Sequence, residues 1–182
     1  MSNKTSIGRR GFIKSTAAVA TGITVMKAKT AFGTMANSKV NLGITGCGGR
    51  GGFVGTLFEK HSNTKVVALH DYFASRANAL GEKLNVDPKR RYTGVDTYRE
   101  LYSDDIDAVA VMGPPYYHPD QSVDTLNAGK HLYLAKPMAV DVPGCKKILN
   151  AAREKKGQLS ILVDFQTRNH PLFVEAAKRV HG

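Results

Sequence analysis

The chain has 182 residues, of which 42% are hydrophobic and 23% are charged, a length and composition typical of one globular domain with its own core. Its formal net charge is +11, but 7 of the 26 basic residues lie in residues 1–39, which contain no acid, and the other 19 are set against 15 acidic residues. The basic excess therefore predicts no nucleic-acid partner. Cys47 and Cys145 have neither disulfide nor metal-ligand spacing, so we expect two free thiols and no metal site.

The first residues carry the pattern of an export signal. The run Gly8-Arg9-Arg10-Gly11-Phe12-Ile13-Lys14 resembles the twin-arginine pattern S-R-R-x-F-L-K and departs from it at two positions. A mildly apolar stretch at residues 15–26 and a few small residues follow, as in a cleaved leader. We predict a twin-arginine signal peptide over residues 1–36 and a periplasmic or secreted protein without membrane contact after export. A disordered basic tail or a mitochondrial-type presequence is the alternative.

A glycine-rich turn breaks the apolar run that begins the body of the chain, within residues 40–52. Gly46, Gly48 and Gly51 fit G-x-G-x-x-G, in which the first glycine allows a tight turn, the second admits a pyrophosphate and the third lets a helix pack on a strand. Asp71 ends a second apolar run 20 residues beyond Gly51, where a dinucleotide fold places the acid that binds the adenosine ribose. This combination predicts a dinucleotide-binding site.

Short apolar runs alternate with amphipathic stretches along the rest of the chain, as in βαβ proteins. The predicted strands begin at residue 40 and continue at residues 65–70, 92–93, 106–112, 131–134 and 159–163. The predicted helices cover residues 53–61, 73–84, 98–101, 120–128, 142–156 and 172–180. This order predicts an α/β fold, a Rossmann-type doubly wound parallel sheet over residues 37–164.

The sequence resembles the Gfo/Idh/MocA family of oxidoreductases over about residues 38–182, in the order and spacing of its motifs. The resemblance is carried by the turn Gly46-Cys47-Gly48-Gly49-Arg50-Gly51, by Asp71, Pro114-Pro115 and His118, and by Leu126-Asn127-Ala128-Gly129-Lys130-His131 and Lys136-Pro137. Ala135 replaces the acid of the family's usual E-K-P and leaves the Lys-Pro pair intact. The resemblance implies an NAD(P)-dependent oxidoreductase acting on a hydroxyl of a sugar or cyclitol. It also implies a second α+β domain that is absent from this chain, with residues 165–182 as the start of its connection.

The resemblance implies roles for particular side chains. Lys136 and His118 are expected to be catalytic, near the nicotinamide. The expected cofactor-binding residues are Gly46, Gly48, Gly49, Arg50, Gly51, Asp71, Arg76, Pro114, Pro115, Lys136 and Arg168. Asp71 favours NAD, because a carboxylate accepts the 2′-hydroxyl and repels a 2′-phosphate, while Arg76 leaves NADP as the less favoured alternative. Four of these residues can instead be surface or helix-start residues without a role in the site: Lys136, His118, Arg50 and Arg168.

Two other functions remain open beside the oxidoreductase. One is an NAD-requiring glycosidase of the same family, and the other is a non-catalytic nucleotide-binding module. Hydride transfer needs a held substrate and excluded water. Without a second domain the chain is therefore expected to bind dinucleotide but to turn over a small-molecule sugar or cyclitol poorly. A homo-oligomer is expected only together with that domain.

Overall fold

The computed structural model describes residues 39–182, in which six strands alternate with five helices; the predicted signal peptide lies outside these residues. The strands are β1 (Val40–Thr45), β2 (Thr64–Asp71), β3 (Arg91–Thr93), β4 (Ala108–Val111), β5 (His131–Ala135) and β6 (Ile161–Asp164). The helices are α1 (Gly49–His61), α2 (Ala74–Lys83), α3 (His118–Asn127), α4 (Val142–Glu154) and α5 (Pro171–His181). Short 3-10 turns cover Pro88–Arg90, Thr97–Ser103 and Gln166–Asn169.

All six strands join one parallel sheet in the order β3-β2-β1-β4-β5-β6. The chain starts in the middle, moves outward to β3, and then crosses back to β4 on the other side of β1. The predicted Rossmann-type doubly wound sheet is therefore confirmed. In such a sheet the crevice outside the carboxyl ends of β1 and β4, where the strand order reverses, is the usual ligand site.

Helices pack on both faces of the sheet, and each face has its own apolar core. In one core Val54 of α1 and Leu80 of α2 pack with the strand residue Ile44. In the other, Leu126 of α3 and Ile148 of α4 pack with strand residues that include Val109 and Leu134. Strands covered on both faces are apolar without alternation, which explains the continuous run at β4. Burying one large aliphatic side chain stabilises the folded state by about 1.5–3 kcal/mol.

The largest difference from the predicted elements lies at the glycine-rich turn. Helix α1 begins at Gly49, four residues before the predicted start at Phe53, because the second half of the turn already forms its first helical turn. Strand β4 is shorter than predicted and covers only Ala108–Val111. Among residues 39–182, no helix has the length and apolar character needed to cross a membrane.

Candidate functional site: a cavity at the strand reversal

The three glycines of the fingerprint have different structural reasons for being glycine. Gly46 has φ +87°, and a Cβ there would lie 2.5 Å from the backbone nitrogen of Gly113. A Cβ on Gly51 would lie 1.9 Å from the carbonyl oxygen of Gly46. A Cβ on Gly48 would instead meet only the Arg76 guanidinium, at 3.9 Å. Gly46 and Gly51 are therefore required by the fold itself, whereas Gly48 leaves space open.

The space beside Gly48 is a cavity of about 440 Å³. The glycine turn and the N-terminus of α1 form one side of the cavity, and the ends of β2 and β4 and the loop after β3 form the other sides. The lining includes five of the predicted cofactor-binding residues other than Gly46 and Gly48, namely Gly49, Arg50, Asp71, Arg76 and Pro114. The first backbone N–H groups of a helix have no intrahelical acceptor, and with the helix dipole they attract phosphate. A glycine gap before a helix N-terminus fits the pyrophosphate of a dinucleotide.

Asp71 is fixed at the edge of this cavity by two backbone hydrogen bonds. Its Oδ2 accepts from the backbone nitrogen of Cys47 at 2.7 Å and its Oδ1 accepts from that of Phe73 at 2.9 Å. The residue is only 5% exposed. A carboxylate has about four lone-pair positions, so each oxygen retains capacity to accept a ribose hydroxyl.

Arg76 stands across the cavity from the glycine turn. Its guanidinium carbon lies 4.8 Å from the centroid of the Phe73 ring, a cation–π contact. The same guanidinium is the group nearest to the open position at Gly48. Arg76 thus places a positive charge within the cavity, and Phe73 holds the side chain in position.

Arg50 is engaged by a partner that was not expected. Its guanidinium pairs with the carboxylate of Asp164 at the end of β6, which is 7% exposed. Asp164 also raises the pKa of the nearby Tyr133 hydroxyl, second to the effect of burial. The arginine of the turn is therefore tied to the far half of the sheet, and its charge is largely compensated there.

His118 is enclosed between the loops that follow β4 and β5. It is 1% exposed, with Nε2 at 2.8 Å from the carbonyl oxygen of Gly113 and Nδ1 at 2.9 Å from that of Pro137. Both ring nitrogens are thus occupied by backbone oxygens, and neither is open to a substrate. The geometry is that of a link between two loops, and the catalytic role of His118 stays a prediction.

Lys136 lies at the carboxyl end of β5, on the side of the site away from Asp71. It is exposed and lines a second hollow of about 350 Å³ together with Pro115, Gln166 and Arg50. Arg50 lines both hollows, so the two adjoin at the glycine turn. A ligand that spans them would have one end at Asp71 and the other at Lys136.

Arg168 lies apart from these two hollows. Its guanidinium carbon is 5.2 Å from the centroid of the Phe165 ring, and the residue lines a separate hollow against α5. Its predicted contact with cofactor therefore has no support in this arrangement and stays a prediction. Within residues 39–182, no group of three or more His, Cys, Asp or Glu side chains is placed to hold a metal ion.

Two residues of the site, Gln121 and Asp164, were not predicted from the sequence. Gln121 lines the 440 Å³ cavity beside Gly48, and Asp164 binds Arg50. Asp164 had a usable signal, since it directly follows the apolar run of the sixth strand and so falls at the ligand-binding edge of the sheet. Gln121 had none, because it lies within an ordinary amphipathic helix pattern.

Comparison with known proteins places this site in a family. Residues 40–163 match the Gfo/Idh/MocA family, described as an oxidoreductase family with an NAD-binding Rossmann fold. Inositol 2-dehydrogenase of Salmonella typhimurium is 30% identical over 115 residues, covering 63% of this chain and 33% of the relative. A glycosyl hydrolase family 109 protein of Shewanella is 30% identical over 172 residues, covering 81% of this chain and 37% of the relative. The chain thus spans about a third of the length of these relatives.

Solved structures agree on the fold. Scyllo-inositol dehydrogenase from Lactobacillus casei, with bound NAD(H) and scyllo-inositol, has a TM-score of 0.69 at 23% identity, over 79% of this chain and 41% of that chain. A 3-ketoreductase from Actinomadura kijaniata, in complex with NADP and TDP-benzene, has a TM-score of 0.67 at 26% identity, over 79% of this chain and 42% of that chain. The family match agrees with the parallel sheet and with the position of the glycine turn, which lies where the strand order reverses. The chain belongs to the Gfo/Idh/MocA oxidoreductase family and has that family's NAD-binding Rossmann fold.

Proposed function

We propose that this chain is the cofactor-binding part of an NAD-dependent oxidoreductase that acts on a hydroxyl of a sugar or cyclitol. The observation that carries the proposal is the open position at Gly48, next to the N-terminus of α1 and within the cavity that Asp71 borders. Asp71 favours NAD because its carboxylate accepts a ribose hydroxyl and repels a 2′-phosphate. Arg76, a cation in the same cavity, makes NADP a weaker second ligand.

The residues of the chain have separate tasks in the proposed reaction. Bound NAD supplies the hydride acceptor at its nicotinamide ring. The N-terminus of α1 holds the pyrophosphate, and Asp71 orients the adenosine ribose. Lys136, at the end of β5, accepts the proton of the substrate hydroxyl as the carbon loses its hydride, and returns it in the reverse direction. We expect a second domain of the kind that the family resemblance implies to exclude water from this reaction.

Cofactor binding by the full chain tests this proposal without requiring turnover. Calorimetric titration is expected to show NAD binding more tightly than NADP, and Asp71→Asn is expected to narrow that difference because it removes the repelling charge. Equal or tighter binding of NADP by the unchanged chain would refute the assignment of Asp71. Loss of NADH formation with sugar or cyclitol substrates in a Lys136→Met variant that still binds NAD would support the catalytic role of Lys136, and NADH formation equal to that of the unchanged protein would contradict it.

A second candidate is an NAD-requiring glycosidase. The glycosyl hydrolase family 109 relative matches 81% of this chain, more than the 63% matched by the inositol dehydrogenase, at the same identity. A glycosidase of this type oxidises its substrate transiently and regains its NAD in each cycle. Sugar release from an aryl glycoside without net NADH would support it, whereas net NADH would support the dehydrogenase. A non-catalytic nucleotide-binding module would show cofactor binding with neither product.

We also propose that residues 1–36 direct export by the twin-arginine route. The support is the run from Gly8 to Lys14 and the absence of acidic residues before it. A fusion of these residues to a reporter that requires export in the folded state is expected to reach the periplasm. Replacement of Arg9 and Arg10 by lysine should retain the fusion in the cytoplasm, and export of that variant would contradict the proposal.

A further inference from the structure

Two polar residues distant in sequence form a hydrogen bond beside the cavity next to Gly48. Thr45, the last residue of β1, is fully buried, and its hydroxyl donates to the Oε1 of Gln121 at 2.8 Å. The backbone of Gln121 is held as well, since its nitrogen donates to the carbonyl oxygen of Tyr117 and its own carbonyl oxygen accepts from the hydroxyl of Thr125. In this arrangement the oxygen of the side-chain amide faces Thr45, and its nitrogen faces away from that hydroxyl.

The nitrogen end of this amide has no partner within residues 39–182. Gln121 is 5% exposed and lines the cavity beside Asp71, and no described side chain or carbonyl accepts from its Nε2. A carboxamide nitrogen carries two N–H donors, and donors next to a buried site ordinarily find an acceptor. Nε2 is not among the fully buried side-chain atoms that lack a partner in residues 39–182, so solvent reaches its N–H groups from the cavity. A ligand atom that accepts hydrogen bonds can take the place of that solvent.

The position of Gln121 indicates which part of a dinucleotide it contacts. It lines the cavity next to Gly48 together with the glycine turn, with Asp71 at the end of β2 and with the loop after β3, and it does not line the hollow that contains Lys136. A ligand whose ribose is bound by Asp71 places its adenosine half on this side. The nicotinamide half then lies toward Lys136.

We propose that Gln121 donates a hydrogen bond from Nε2 to a ring nitrogen of the adenine, and that Thr45 is a positioning residue that turns the nitrogen end of the amide toward the base. The inference rests on the proposed NAD site and extends it to base recognition. The ring nitrogens of adenine that face a pocket only accept, which matches a donor whose oxygen is already taken. The ribose hydroxyls are matched instead by the accepting carboxylate of Asp71.

The test separates the two halves of the cofactor by titrating the full chain with AMP and with nicotinamide mononucleotide. The main variant is Gln121→Leu combined with Thr45→Val, which removes both polar partners together and leaves no buried hydroxyl unpaired. We expect its dissociation constant for AMP to rise about fivefold, the effect of one neutral hydrogen bond, with that for nicotinamide mononucleotide unchanged. Thr45→Val alone should weaken AMP by a smaller factor, because the amide is then free to rotate.

Unchanged AMP affinity in the double variant, or equal weakening of both mononucleotides, would overturn the assignment of Gln121. If the double variant does not fold, Gln121→Met serves instead, since its uncharged side chain is of similar length, has no N–H donor, and keeps a thioether as a weak acceptor for Thr45; it too should weaken AMP selectively. Failure of the unchanged chain to bind either AMP or NAD would overturn the proposed function itself. The two failures are therefore distinct.

Discussion

Arg50 and Asp164 join the glycine-rich turn to the last strand of the sheet. The two residues are 114 positions apart in sequence, and their ion pair spans the half of the sheet formed by β4, β5 and β6. Asp164 is buried, whereas Arg50 is about one-third exposed. The pair therefore fixes the position of the turn relative to the hollow that contains Lys136.

Removing the charge of Asp164 should lower stability. We expect Asp164→Asn to reduce the free energy of unfolding by about 1–2 kcal/mol, because the variant leaves the Arg50 charge partly buried without its counterion. Chemical denaturation of the full chain measures the change. Lys147→Gln is the matched control, since it breaks the exposed Lys147–Asp120 pair and should cost less than about 0.5 kcal/mol. Equal losses in the two variants would contradict the structural role assigned to Asp164.

His70 should make the fold sensitive to acid. Burial lowers the pKa of its imidazole below 6.5, its Nε2 donates to the carbonyl oxygen of Gly94, and its Nδ1 is buried without a partner among residues 39–182. Above about pH 6.5 the ring is neutral in both the folded and the unfolded chain, so it causes no pH dependence. Below that pH the unfolded chain binds a proton that the folded chain resists, and stability falls by up to about 1.4 kcal/mol per pH unit.

The measurement is a series of denaturation curves between pH 8 and pH 5 for the unchanged chain and for His70→Gln. A glutamine amide retains a donor for Gly94 and does not titrate in this range. We expect the variant to lose less stability than the unchanged chain on acidification. The same loss in both proteins would show that His70 does not contribute.

The two cysteines should differ strongly in reactivity. Burial, with a further contribution from the Asp71 carboxylate, raises the pKa of the Cys47 thiol to about 12, and its sulfur donates to the carbonyl oxygen of His70. Cys145 is a free thiol on α4 that is only partly buried. Because the thiolate is the reactive form, iodoacetamide at pH 8 should alkylate Cys145 first and leave Cys47 largely unmodified until the chain unfolds. Mass spectrometry of the labelled peptides checks the order, and faster labelling of Cys47 would contradict it.

Gly46 and Gly48 should respond differently to the same substitution. Gly46→Ala places a Cβ against the backbone of Gly113 at a positive φ, so we expect a loss of at least about 2 kcal/mol in unfolding free energy. Gly48→Ala adds a Cβ in open space at φ −71°, so its stability should remain within about 0.5 kcal/mol of the unchanged chain. Thermal unfolding compares the two variants. Similar losses would mean that Gly48, too, is required by the fold.

The sequence was sufficient for the fold because the signals for it are local. The apolar runs of the strands predicted the doubly wound parallel sheet, and the spacing from Gly46 to Asp71 predicted a dinucleotide-binding site. The contacts that complete the site join residues far apart and leave no local pattern. Thr45 and Gln121 are 76 residues apart, and the burial of His118 between two carbonyl oxygens depends on how the loops after β4 and β5 pack. A helix-start histidine and a catalytic histidine look the same at position 118 of the sequence.

The most direct test of the account is a calorimetric titration of the full chain with NAD, comparing the unchanged protein with Gly48→Val. The account predicts that the unchanged chain binds NAD and that the variant unfolds at nearly the same temperature but loses NAD affinity by at least about tenfold, because the valine side chain fills the space of the pyrophosphate. Absence of NAD binding by the unchanged chain, or unchanged affinity in a folded Gly48→Val variant, would contradict the placement of the cofactor at the glycine turn.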